Sequence, residues 1–331
     1  MEMTTTTVSV PMSETSQPGE ARRAAMRLAS GAGLDEEVVG KVAIAVTEAA
    51  SNVVKHGRGG DVILRTLRDG EAHGLEMLAL DRGSGMANVG ECFRDGYSTA
   101  GTAGTGLGAI RRLSSEFDVH TIPGVGTAVL ARFWSAAPPK PELEVGAVCV
   151  PKPGELVCGD AWAVACRAGV TIIVVVDGLG HGLPAADAAA AALDAFAASR
   201  TPEPRIVLEE IHAALRSTRG AAVAVAVVDP RRRLLRYAGL GNIAGAILGT
   251  GPARHMVSHN GTAGHEARRL DEFSYQWPEG SLVVIHSDGL GTHWDLGRYP
   301  GLAQREPSLI AGVLYRDFAR RRDDVAVVVA R

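Results

Sequence analysis

The sequence predicts a two-domain α+β protein, and three observations carry that expectation. Its 331 residues suffice for two domains that each bury a core. The run Ser135-Ala136-Ala137-Pro138-Pro139-Lys140-Pro141 interrupts the chain with a proline-rich stretch that favours an extended connector. Hydrophobic periodicity also changes across that run, from long helices with a few strands to many short strands interrupted by helices. The expected division is a flexible N-terminus over 1–16, a first domain over 17–135, a linker over 136–142 and a second domain over 143–331.

In the first domain, residues 18–30 read as a helix. Asp35 opens a longer one over 35–55, with Val38, Val42, Ala45, Ala49 and Val53 on one face and Gly57 as its stop. Residues 62–68 and 75–79 read as strands, 106–116 as a helix opened by glycines, and 117–121 with 127–133 as a closing hairpin. A helix layer on a mixed sheet follows. In the second domain, strands are expected over 145–150, 162–167, 170–176, 222–229, 234–239, 244–248, 281–286 and 324–329. Helices are expected over 183–199, 205–216 and 307–320. Strands paired mostly as neighbours suggest a layered α+β sandwich rather than a doubly wound sheet.

Composition narrows the function. A hydrophobic fraction of 46%, a charged fraction of 21% and a net charge of -3 are those of ordinary globular protein, without the basic face of a nucleic-acid binder. The clusters Arg231-Arg232-Arg233 and Arg320-Arg321-Arg322 stand beside apolar runs and read as solvated turns or strand edges. Cys92, Cys149, Cys158 and Cys166 form no zinc-binding spacing and are expected as reduced thiols. The Thr- and Ser-rich start lacks a secretory pattern, and the apolar runs are of strand length. A cytoplasmic protein without membrane or nucleic-acid partners is expected.

Two sets of residues carry chemistry. In the first, Glu48 and Asn52 lie four apart on one helical face, where the Asn amide oxygen suits Mg²⁺ and the Glu suits orienting or deprotonating a nucleophile. Asp81-Arg82-Gly83-Ser84-Gly85 follows a strand and reads equally as a tight turn or as a carboxylate that can accept the exocyclic amine of adenine, with two glycines allowing close approach of the ring. Gly104-Thr105-Gly106-Leu107-Gly108 precedes a helix whose N–H groups suit phosphate, and Gly126-Thr127 opens a last strand.

In that order these pieces resemble the Bergerat-type ATP-binding fold of the GHKL superfamily, and within it the switch kinases and anti-sigma factors of the RsbT/RsbW type. Phe93-Arg94-Asp95-Gly96-Tyr97-Ser98-Thr99 and residues 106–117 are similar to the RsbT branch. The resemblance covers roughly residues 15–134. It implies an α/β sandwich with Asn52 on Mg²⁺, Asp81 on adenine, and Gly83 and Gly85 beside the ring. It further implies Gly104, Gly106 and Gly108 around the phosphates of ATP, Thr127 near the adenine, and Glu48 as base for a protein Ser or Thr hydroxyl.

The second set is acidic: Gly159-Asp160, Asp177-Gly178-Leu179-Gly180-His181-Gly182, Ser287-Asp288-Gly289 and Asp323-Asp324, at the ends of apolar runs. Hard divalent ions want such oxygen ligands, and a pair of them activates water for attack on phosphorus. Their order resembles the metal-dependent Ser/Thr phosphatases of the SpoIIE/RsbX type, a branch of the type 2C (PPM) superfamily, over about residues 143–331. It implies an α-β-β-α sandwich holding two Mg²⁺ or Mn²⁺ through Asp160, Asp177, Asp288, Asp323 and the carbonyl of Gly178, with Asp177 central to catalysis. Asp323 is favoured over Asp324 as the last ligand. His181 and Asn242 read as loop and turn residues near the site.

The two resemblances together imply a bifunctional partner-switching regulator, a Ser/Thr kinase joined to a phosphoserine/phosphothreonine phosphatase. Its expected partner is a STAS-domain protein, with a sigma factor or activator as the other candidate. The alternative reading makes the first domain an ATP-dependent sequestering or nucleotide-sensing module. Oligomeric state is not expected from sequence.

Overall fold

The computed structural model describes residues 2–3, 6–88, 90, 106–249 and 251–331. Gly104 and the motif at 93–99 lie outside them.

By contact, the chain divides into one unit of Thr5–Lys140 with Asp295–Arg316 and another of Met1–Thr4, Pro141–Trp294 and Asp317–Arg331. The sequence-based division keeps everything after residue 142 together. The contacts instead group residues 295–316 with the first half, and strand β1 (Glu2–Met3), paired to residues 163–164, with the second.

The first unit is a helix layer on one five-stranded sheet. Strand β2 (Thr7–Pro11) pairs along Asp61–Arg65, so the first sixteen residues, expected to be flexible, contain an edge strand. Its ladder bonds and the burial of Val10 and Met12 hold it in place. Helix α1 (Gln17–Gly31) follows, then α2 (Glu36–His56), whose cap Asp35 accepts the Val38 N–H at 2.8 Å. Strands β3 (Gly60–Asp69) and β4 (Ala72–Asp81) form a hairpin, α3 spans Gly106–Leu113, and β5 (Glu116–Ile122) and β6 (Gly126–Trp134) form another.

The strand order is β2-β3-β4-β6-β5. Every strand pairing in this sheet among the described residues is antiparallel, which corrects the mixed sheet expected from sequence. Two hairpins supply four of the strands, and hairpin neighbours cannot pair in parallel.

Alternation along β4 explains what the sheet needs. Leu75, Met77 and Ala79 face the helices and join Val42, Ala45, Val46, Ala49 and Val53 of α2 in one core. Glu76, Leu78 and Leu80 lie on the opposite face and are equally buried. Within this unit Asp295–Arg316 covers that face: Gly312 lies against Leu78 and Leu80.

The second unit stacks a helix layer on two antiparallel sheets. Its strands are β7 (Val145–Val150), β8 (Asp160–Arg167), β9 (Val170–Gly178), β10 (Ala221–Asp229), β11 (Leu234–Leu240), β12 (Ala244–Leu248), β13 (Arg254–Met256), β14 (Phe273–Gln276), β15 (Leu282–His286) and β16 (Val325–Ala330). One sheet runs β1-β8-β9-β10-β11-β14 and the other β13-β12-β15-β16-β7. Helices α4 (Leu183–Ala198) and α5 (Pro204–Ala214) pack on the first sheet through Ala188, Ala192, Phe196, Leu208 and Ile211. Between the sheets lie Trp162, Ile173, Val175, Ile285 and Val328. Helix α6 (Pro307–Phe318) belongs to the first unit for all but its last two residues.

Candidate functional site

Asp81 stands at the end of β4, where the chain leaves the sheet. Its Oδ1 accepts two backbone N–H bonds, from Gly83 at 2.8 Å and Thr127 at 3.1 Å. Oδ2 accepts none among the described residues, so a half-buried carboxylate presents one open acceptor. Burial raises its pKa, while the Gly83 and Thr127 bonds and the charge of Arg316 oppose the shift.

The glycines that follow serve the protein's own backbone. A Cβ on Gly83 would strike the His56 carbonyl, and one on Gly85, at φ +64, would strike that of Ile122. The Thr127 and Thr121 hydroxyls share a hydrogen bond at 3.1 Å, and Thr121 Oγ1 also accepts the Met86 N–H at 2.9 Å. The loop after Asp81 is thereby fixed from both sides.

Asn52, half-buried on α2, lies beside the first residue of α3: its Nδ2 is 3.8 Å from where a Gly106 Cβ would be. The structure thus brings Asn52 and Gly106 together at the start of α3, in whose first turn Gly108 is buried. Glu48 lies one turn before Asn52 on α2, and its carboxylate takes no hydrogen bond among the described residues.

In the second unit the acids meet at one end of the paired sheets. Asp160 and Asp177 are direct partners across β8 and β9. Asp160 is 3% exposed, and its Oδ2 accepts the Ser287 hydroxyl at 2.6 Å. Ser287 Oγ in turn accepts the Ala326 N–H at 2.9 Å, which ties β8 to β16 through one hydroxyl. Asp288 Oδ2 accepts Asn242 Nδ2 at 2.6 Å. The Gly178 N–H donates to the Gly159 carbonyl at 3.1 Å, which holds the two loops together.

These acids crowd one another. Burial, then Asp288 and Asp323, push the Asp177 carboxyl up to about 7. Burial and then Asp177 raise Asp160 well above the carboxylate range. Among the described residues no three His, Cys, Asp or Glu side chains converge into a ready metal cage. The donor set is nonetheless all oxygen and short of positive charge, which fits Mg²⁺ or Mn²⁺, ions that keep several waters.

The adjacent acids at 323 and 324 differ in use. Asp324 is 3% exposed, and its Oδ1 and Oδ2 accept the N–H groups of Lys152 at 2.7 Å and Gly159 at 2.9 Å. Asp323 is half-buried and caps the Asp324 N–H at 3.0 Å through one oxygen. His181 pairs with Glu155 at 2.6 Å and is exposed, as a loop residue would be.

Sequence reasoning quoted Ser287 in its motif without giving it a role and missed Arg316, whereas Asn242 lies in a turn beside the site as expected. Ser287 adjoins the Asp-Gly motif, which is a local signal. Nothing local marks Arg316, whose partner is 235 positions away.

Residues 12–133 match the model of the histidine kinase-like ATPase domain and residues 167–331 that of stage II sporulation protein E (SpoIIE). Over 94 residues the chain is 31% identical to the serine/threonine-protein kinase RsbT of Bacillus subtilis (strain 168), covering 28% of this chain and 71% of that one. The chain belongs to the histidine kinase-like ATPase and SpoIIE families, with one domain of each. The chain is also 24% identical over 140 residues to the phosphoserine phosphatase RsbX of the same organism, covering 42% of this chain and 70% of that one. A solved chain from a study of the bacterial stressosome, a modular system adapted to control secondary messenger signaling, is 34% identical with a TM-score of 0.54. It covers 58% of this chain and 100% of its own. No helix among the described residues is long and apolar enough to cross a membrane.

Proposed function

We propose that the chain is a cytoplasmic partner-switching regulator that both writes and erases phosphate on Ser or Thr of a STAS-domain protein. The observation that carries the phosphatase half is the Asp160–Asp177 pair, with Asp288 and Asp323 close enough to raise Asp177. Asp160, Asp177, Asp288, Asp323 and the Gly178 carbonyl would hold two Mg²⁺ or Mn²⁺. Such ions, when bound, lower the pKa of a water and offset the charge developing at phosphorus. Ser287 and Asn242 keep Asp160 and Asp288 oriented, and Asp324 holds Gly159, the neighbour of Asp160.

The open Oδ2 of Asp81 carries the ATP half. It accepts the adenine amine, while Asn52 would ligate Mg²⁺ and the N-terminus of α3 at Gly106 and Gly108 faces phosphate. Glu48, without a hydrogen-bond partner among the described residues, takes the proton of the substrate hydroxyl. The RsbT and RsbX relatives and the stressosome neighbour support this pairing of activities.

The test is incubation of the full chain with Mg-ATP and a purified STAS-domain protein, following phosphate by mass spectrometry. Asn52→Ala stops addition, and Asp177→Ala stops removal in Mn²⁺. Phosphorylation that persists in the first variant sinks the kinase half, and dephosphorylation that persists in the second sinks the metal site.

A second reading, of the ATPase domain as a nucleotide sensor, is favoured by one observation: residues 295–316, which lie in sequence between Asp288 and Asp323, belong to the ATP-binding unit. Phosphatase rates that respond to ATP or ADP without phosphotransfer select it.

A further inference from the structure

We propose that Arg316 is a positioning residue of the nucleotide site, so that the ATP pocket of the first half is completed by a side chain from the second half of the sequence. This rests on the reading that Asp81 receives adenine.

Arg316 is 2% exposed, and its Nη1 donates to the Asp81 carbonyl at 2.9 Å. That carbonyl lies where β4 ends and β6 begins, so closely held that a Cβ on Gly126, at φ +140, would strike it. The backbone of Asp81 is therefore clamped by Arg316 while its side chain is clamped by Gly83 and Thr127. Both constraints bear on where the open Oδ2 stands. The guanidinium also adds a positive charge that opposes the burial of the carboxylate, and a hydrogen bond from a charged donor is among the stronger ones.

Arg316 is not a loosely placed surface arginine. The segment that brings it is tied to the same sheet along its length. The Pro300 carbonyl meets His120 Nε2 at 3.1 Å, and Arg305 Nη1 and the Glu306 N–H reach Asp118 at 3.1 and 2.9 Å. Ser308 Oγ accepts Arg132 Nη2 at 3.2 Å, and Gly312 packs on Leu78 and Leu80. Arg316 is the last residue of this covering segment in the unit, and Asp81 the last of β4. The ATPase domain taken alone, residues 12–133, lacks it.

A carboxylate that accepts the 6-amino group discriminates adenine from guanine, whose O6 it repels. If Arg316 positions Asp81, its loss falls on adenine recognition. The experiment measures binding of ATP and of GTP to the full chain by fluorescent-analogue displacement, with thermal melting of each variant. Arg316→Ala is expected to weaken ATP about tenfold and leave GTP unchanged, collapsing the preference. Arg316→Lys, which keeps one charged donor, is expected to restore most of it. Ser308→Ala, on the same helix but bonded to Arg132, is expected to leave both affinities as they are. Unchanged ATP binding in Arg316→Ala, or an equal fall in ATP and GTP that tracks a lowered melting point, overturns the proposal. If the unaltered chain fails to bind ATP, or Asp81→Ala binds it as well, the underlying reading fails instead.

Discussion

Asn242 Nδ2 donates to Asp288 Oδ2 at 2.6 Å. The donor comes from the turn between β11 and β12, the acceptor from the end of β15, and the bond selects one orientation of a candidate metal ligand. Outer partners of this kind matter to a metal site nearly as much as the ligands, with losses of about 10- to 100-fold on removal.

Asn242→Ala is accordingly expected to raise the Mn²⁺ concentration giving half-maximal phosphatase rate by about tenfold, with the rate at saturating metal largely kept. A metal titration of p-nitrophenyl phosphate hydrolysis measures both. A fall in the saturating rate with no change in metal requirement would mean that Asn242 touches substrate instead.

How far the sequence reached depends on the range of each interaction. Of the fourteen strands and six helices described over residues 17–331, twelve strands and all six helices were legible because side-chain periodicity is local. Residues 244–248, for instance, are a strand in both readings. Strands β2, β13 and β14 escaped because each is at most five residues long and lies at a sheet edge. The acids were legible for the same local reason: each ends an apolar run. Arg132, Glu76 and Arg316 were not, because their meaning lies in partners far along the chain. The burial of Glu76 follows from a covering segment that the sequence assigned to the other domain.

That Glu76 site yields a prediction on stability. Glu76 accepts Arg65 Nε and Nη2 at 3.1 and 3.0 Å and Arg132 Nε at 2.8 Å. Burial drives its carboxyl up, but the charges of Arg65 and Arg132 outweigh it and hold the pKa below the ordinary 4.5. A carboxyl lowered on folding contributes stability in full above its unfolded value and loses it as pH falls through the folded one. Glu76→Gln is expected to cost about 3 kcal/mol at pH 7, where it leaves two buried guanidinium groups undercompensated. The difference from the unaltered protein should shrink as pH drops below 4.5. Urea unfolding at pH 7 and pH 4 measures it, and a constant difference would assign the loss to packing.

Asp323 and Asp324 give the sharpest contrast, since one substitution on adjacent residues should have opposite effects. Asp324 spends both oxygens on the N–H groups of Lys152 and Gly159, so Asn in its place would turn an amide NH₂ toward one of those donors. Asp324→Asn is expected to destabilise the protein by about 1–3 kcal/mol. Asp323 instead raises Asp177 by its charge and caps only the adjacent N–H with Oδ1. Asp323→Asn removes a like charge from a crowded group, so the metal-free protein should melt no lower than the unaltered one. Its phosphatase activity in Mn²⁺ should fall by at least about tenfold, because a hard cation binds a neutral amide less well than a carboxylate. Melting in EDTA and hydrolysis in Mn²⁺ separate the two effects. If Asp323→Asn lowers the melting point as much as Asp324→Asn while keeping activity, the last ligand is not Asp323.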